Sequence, residues 1–156
     1  METYRIIFNL LFIMALQGPG AAGQPAPHQP SNAGDVLAPY RWSNRLLLIF
    51  SEDTNITDYQ RQVSILQSDQ MGMADRDLVF FRIFPDEGYT PDNDALTPAQ
   101  VTALRERFDV GTGFTVILIG KDGGEKRTER KPLTLDQLYG TIDAMPMRQN
   151  EMKQNP

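Results

Sequence analysis

The chain has no cysteine among its 156 residues. Disulfide exchange needs a sulfur that can become thiolate, so that chemistry is excluded, and no disulfide can form. A lipid-anchored lipoprotein, which needs a cysteine after an apolar leader, is excluded as well. Histidine is almost as scarce: His28 is the single one, and it lies in a Pro- and Gln-rich stretch where it reads as incidental. A basic excess is also missing. The net charge of −5 argues against nucleic acid as a partner. The apolar run Ile6 to Leu16, broken only by Asn9, has about eleven residues, against the roughly twenty that span a bilayer. No zinc spacing, Gly-rich phosphate loop or nucleophile elbow occurs, and no cofactor is implied.

What is present begins with an export pattern. Arg5 precedes the apolar run, and the small residues Gly18 to Gly23 follow it, so residues 1–23 are expected to be a signal peptide. Residues 24–34, rich in Pro, Gln, Ala, Ser and Asn, read as a flexible tether. A secreted or periplasmic protein with no stable membrane anchor after cleavage is the expectation. Its stability must then come from its core alone. With 40% hydrophobic and 22% charged residues, the chain fits one domain, expected over 35–147, followed by a polar tail over 148–156.

Within that domain, Leu46 to Phe50 is a continuous apolar run, as in a strand covered on both faces. Thr57 and Gln60 have capping-box spacing, which predicts a helix from Thr57 to about Met71-Gly72. Asp77 to Phe84 is a second strand, stopped by Pro85. After a polar stretch, Thr97-Pro98-Ala99-Gln100 is a second capping box with proline at the first helical position. Thr115 to Ile119 is a third strand. Lys121-Asp122-Gly123-Gly124 turns it into a polar edge strand, Glu125 to Arg130. Thr134 and Gln137 cap a last helix that Pro146 ends.

The order is βαβαββα: an α/β fold with a mixed four-stranded sheet flanked by helices. That is the order of the thioredoxin fold, and "RFDVGTGFTVILIGKDGG", residues 107–124, is similar to its passage from a helix into the third strand. Where redox members place a cysteine pair, this chain has Ser51-Glu52-Asp53-Thr54-Asn55; where they place a cis-proline, it has Phe114. More specifically, "LAPYRWSNRLLLIF", "RDLVFFRIF", "FTVILIGKDGGEK" and "IDAMPMRQNEM" together resemble the family called domain of unknown function 4174. The resemblance covers about Asp35 to Met152. It implies a thioredoxin-like domain, seen in exported bacterial proteins and in animal extracellular proteins with sushi repeats, and it brings no catalytic residues.

Several residues are candidates for chemistry. Glu52 and Asp53 sit at the carboxyl end of the first strand, where open α/β sheets bind ligands; acids before a helix also complement its dipole. Asp86, Glu87, Asp92, Asn93 and Asp94 crowd one loop with oxygen donors, without the spacing of an EF-hand, and read as a solvated loop. Lys121, Lys126, Arg127, Arg130 and Lys131 gather positive charge around the hairpin, diluted to a mixed solvated edge by Asp122, Glu125 and Glu129. Arg41 and Trp42, just before the first strand, could form an exposed cation and aromatic binding pair, but such a Trp more often packs over the end of the sheet, which is the expectation. Met145, Met147 and Met152 are expected to fill gaps or lie in a frayed tail.

The resulting expectation is a non-redox binding or interaction module. Its surface is the former active-site edge, Trp42, Ser51, Glu52, Asp53 and Phe114, and its partner a protein or glycan of the envelope or extracellular space. The rival is a thiol-independent enzyme using Glu52 or Asp53 at that edge.

Overall fold

The computed structural model describes residues 35–154. The expected signal peptide and tether, with His28, lie outside the described residues. The expected elements form, with additions. Strand β1 (Arg45–Phe50) is buried at every position. It pairs parallel with β2 (Leu78–Ile83) and antiparallel with β4 (Thr115–Ile119), which pairs antiparallel with the exposed β5 (Glu125–Glu129). Side chains alternate across β1. Leu47 and Ile49 meet Tyr59, Leu66, Leu138 and Ile142 on one face, while Leu46, Leu48 and Phe50 meet Val101 and Leu104 on the other. Helices α1 (Thr57–Gln67) and α4 (Leu135–Asp143) therefore cover one face, and α3 (Pro98–Arg107) the other. Each aliphatic side chain fully buried between these layers contributes about 1.5–3 kcal/mol.

The sheet has five strands rather than four, with β3 (Gly88–Tyr89) at one edge, in the order β3-β2-β1-β4-β5. The additional β3 pairs antiparallel with Arg82 and Ile83, within the polar stretch expected to be a loop. Two residues carry no readable alternation. At Gly88 a Cβ would stand 2.9 Å from Leu96 Cδ1 and 3.2 Å from the Arg82 carbonyl oxygen, so any side chain there would press on both neighbours.

The capping boxes at Thr97/Gln100 and Thr134/Gln137 both form. The one expected at Thr57 does not: the N-cap is Ile56, with no side-chain cap, and Thr57 is already helical. Ile56 packs against the core instead, so burial rather than a polar cap sets where α1 begins. That helix also ends earlier, at Gln67. Asp69 accepts from the Gly72 amide at 2.9 Å and starts a separate short helix, α2 (Gln70–Asp75).

The polar tail expected from residue 148 is replaced by a helix, α5 (Pro146–Gln154). Pro146 opens this helix as well as following α4, in keeping with the tolerance of a first turn for proline. Arg148 and Glu151 tie it down: Arg148 is 9% exposed and pairs with Asp75 and Asp143. Met147 and Met152 keep more than a third of their surface exposed, while Met145 packs on the core.

Candidate functional site

The sheet has two ends, and the candidate residues divide between them. At the carboxyl end of β1, Ser51 is 1% exposed; its amide donates to the Ile83 carbonyl and its hydroxyl to the Asp53 carbonyl at 3.0 Å. Asp53 Oδ1 accepts from the Asn55 amide, an Asx turn that leads into α1. Glu52 reaches across to the loop before β4, where its Oε1 accepts from the Gly113 amide at 2.6 Å. Gly113 has φ +91, a conformation that favours glycine. Phe114 follows it and is packed in the core at 8% exposure. This end therefore brings Ser51, Glu52, Asp53 and Phe114 together, with Ser51 and Phe114 buried and one Glu52 oxygen occupied. Gly113 to Phe114 is a trans peptide, since no cis bond occurs among the described residues.

Trp42 is not part of that group. It precedes β1, and six strand residues at about 3.3 Å each put it about 20 Å away from Glu52, at the opposite end of the sheet. The expectation of one surface holding all five residues is thereby corrected. So is the expectation that Trp42 packs over the sheet: it is 65% exposed, with φ 67. Its amide donates to the Lys121 carbonyl at 2.7 Å, which fixes the turn before β1 against the end of β4. The neighbouring Arg41 lies over the β4–β5 turn, where a Cβ on Gly123 would stand 2.8 Å from Arg41 Nε.

This second end carries a charge network that the sequence does not advertise. Arg45, 1% exposed, donates through Nη1 to the Arg76 carbonyl at 2.9 Å and through Nη2 to both Glu151 oxygens at 3.1 Å. Lys121 Nζ donates to Asp77 at 2.7 Å and to Glu151 at 2.9 Å. Burial alone would lower the Lys121 pKa, but those two acceptors outweigh it and hold the ammonium above the usual lysine value. Burial likewise pushes Glu151 up, and the opposing bonds from Lys121 and Arg45 leave it below the usual carboxylate value. At 10% exposure Lys121 is not the solvated hairpin cation expected. A cavity of about 270 Å³ opens beside it, walled by Arg45, Lys121, Asp122, Lys126, Met145 and Met147.

The acids of residues 86–94 do not converge. Glu87 accepts from the Tyr89 hydroxyl at 3.0 Å and Asn93 from Arg82, and among the described residues no three His, Cys, Asp or Glu side chains are grouped to hold a metal.

A family model described as Domain of unknown function (DUF4174) matches residues 36–151. The chain belongs to the DUF4174 family. No curated protein matches it significantly. Among solved structures, the DUF4174 domain is similar to the reduced 2-Cys peroxiredoxin of Plasmodium vivax, with TM-score 0.56 and 13% identity over 74% of this chain and 84% of that one. A Plasmodium yoelii Prx1a modified at its N-terminus gives 0.57 and 14% over 77% and 82%. Plasmodium yoelii thioredoxin peroxidase I gives 0.53 and 14% over 77% and 81%. At such identities the likeness is one of fold, the thioredoxin-like α/β class. The first neighbour is named for two cysteines, and this DUF4174 chain has none.

Sequence reasoning missed Arg45, Glu151 and Arg148. Arg45 had a signal, a cation opening an otherwise apolar run; Glu151 had none, because Arg45 and Lys121 are distant in sequence, and Arg148 had none for its bond to Asp75, 73 residues away.

Proposed function

We propose that this DUF4174 protein is an exported, non-redox binding module, and that it binds through the end of the sheet that carries Trp42. The observation that supports this most is the state of Trp42, the single tryptophan of the chain, which is 65% exposed on a left-handed backbone. A bulky residue at positive φ carries strain, and its ring gives up the burial that tryptophan usually gains. Export is supported by Arg5, the apolar run Ile6 to Leu16 and the small residues that follow. The absence of cysteine supports the non-redox part. The former active-site edge is the weaker candidate, since Phe114 and Ser51 are buried there and Glu52 is bonded to Gly113. The partner is a protein or glycan of the envelope or extracellular space.

The test compares the two ends directly. The full chain is produced with a photo-reactive phenylalanine analogue at position 42 or at position 53, and both proteins are irradiated in envelope and culture fractions. Discrete adducts from position 42 and none from 53 are expected. Adducts from 53 alone would return the surface to the former active-site edge, and none from either would refute a binding module. N-terminal sequencing of the recovered protein checks export: a start near Gly23 is expected, and retention of Met1 in a cytoplasmic fraction would refute it.

A further inference from the structure

The geometry points to the cavity beneath the β4–β5 turn as a binding site for a small organic carboxylate with an apolar body. The inference goes beyond the Trp42 surface and does not depend on it. The donors on the cavity wall exceed the acceptors available to them. Lys126 Nζ has three hydrogens and donates one, to Asp122 Oδ2 at 2.6 Å. Lys121 Nζ donates two, to Asp77 and Glu151, and keeps a third. Arg45 stands on the same wall at 1% exposure, and its Nε is buried with no acceptor among the described residues. Buried guanidinium donors are ordinarily satisfied, and this one is left without an acceptor on a residue that walls the cavity.

Asp122, the one acid on the wall, does not cancel this. Its Oδ1 accepts from the Gly124 amide at 3.0 Å and its Oδ2 from Lys126, so both oxygens are engaged within the turn. Arg45 and Lys121 are likewise paired, with Glu151 and Asp77, so what the wall offers is spare N–H hydrogens on Lys121 and Lys126 rather than unpaired charge. The remaining wall is apolar. Met145 and Met147 are flexible thioether side chains that adapt to an irregular apolar guest, and Met147 is 39% exposed. The volume of about 270 Å³ lies just under the range of pockets for drug-sized ligands, roughly 300–1,000 Å³, which selects a small guest. Cationic donors and methionines lining one cavity select an anionic head with an apolar tail, a pairing that neither acetate nor a neutral alcohol offers.

The test is isothermal titration of the full chain with sodium hexanoate at neutral pH and low salt, set against acetate, hexanamide and 1-hexanol. Saturable one-site binding of hexanoate is expected, with each of the other three at least about tenfold weaker, a difference of roughly 1.4 kcal/mol. Lys126→Gln should weaken hexanoate at least about tenfold, Met147→Asp should abolish binding, and both variants should keep the wild-type melting temperature within a few degrees. Trp42→Ala should bind hexanoate as the wild type does, so the failure of either proposal is visible without the other. Absence of saturable heat with hexanoate would overturn the assignment. So would equal binding of 1-hexanol, or unchanged affinity in both wall variants.

Discussion

Arg45, the first residue of β1, holds both carboxylate oxygens of Glu151, a residue of α5 that lies 106 positions later. The pair joins the central strand to the last helix across the end of the sheet. Removing one member of a buried pair leaves the other charge uncompensated, which costs about 3–5 kcal/mol in full burial. Glu151 is 27% exposed, so Glu151→Gln is expected to cost less, about 2–3 kcal/mol. Urea denaturation at neutral pH measures it. Acid adds a second readout. Because Glu151 sits below its ordinary value of 4.5, the folded state favours the ionised form, and its contribution is present above 4.5 and lost as pH falls through the lower folded value. Wild type should therefore lose its margin over Glu151→Gln on acidification; a constant margin down to pH 2 would show that the pair contributes no linkage.

Tyr139 makes the opposite prediction in alkali. Burial, followed by the nearby Asp69 carboxylate that accepts its hydroxyl at 3.2 Å, raises its pKa from 10.0 to about 12. The folded state thus favours the neutral phenol. Its stabilisation is complete below pH 10 and is lost as pH rises through about 12, since the unfolded chain releases this proton first. Tyr40 and Tyr89 are raised as well, so spectrophotometric titration should show several late tyrosines, and Tyr139→Phe should remove the step near pH 12 while flattening the loss of stability between pH 10 and 12. A step near pH 12 that survives the substitution would assign it to another tyrosine.

Gln62 is a fully buried amide on α1 that behaves like a piece of backbone. Its Oε1 accepts from the Leu133 amide at 2.7 Å and its Nε2 donates to the Leu133 carbonyl at 3.3 Å. Gln62→Met keeps the volume and orphans both groups, at roughly 1–3 kcal/mol each. A loss of about 2–6 kcal/mol in denaturant unfolding is expected, together with faster hydrogen exchange at the Leu133 amide. A neutral outcome would mean that water replaces the amide at this position.

These three residues also mark where reading the sequence stops. Leu46 to Phe50 was legible as a two-sided strand because burial on both faces leaves no polar residue to interrupt it, and Thr97 and Thr134 were legible as caps because their partners are three residues away. Thr57 has the same local spacing and failed as a cap, because Ile56 gains more by packing on the core than Thr57 gains by capping. The fifth strand and α5 were missed for a related reason. Gly88–Tyr89 is too short to show a period, and α5 is polar along much of its length, held by ion pairs from Arg45, Lys121, Asp75 and Asp143 to Glu151 and Arg148. Long-range charge pairing leaves no periodic trace. The same limit applied to the candidate site: local sequence put Trp42 near the first strand, but only strand direction places it at the far end from Glu52.

The backbone of Trp42 gives a prediction that separates strain from function. A non-glycine residue in the left-handed region costs about 1–2 kcal/mol, and glycine relieves that at the expense of greater freedom in the unfolded chain, about 0.5–1 kcal/mol. With the ring 65% exposed, little packing is lost on truncation. Trp42→Gly should therefore be neutral to slightly stabilising, by up to about 1 kcal/mol, whereas Trp42→Val should destabilise by about 1 kcal/mol because a β-branched side chain tolerates positive φ poorly. Thermal unfolding of the two variants decides the matter. If Gly raises the melting temperature and Val lowers it, the tryptophan is retained against a conformational cost, which is the pattern expected of a binding residue. If Gly destabilises strongly, the indole is holding the Arg41–Lys121 corner together, and its role is structural.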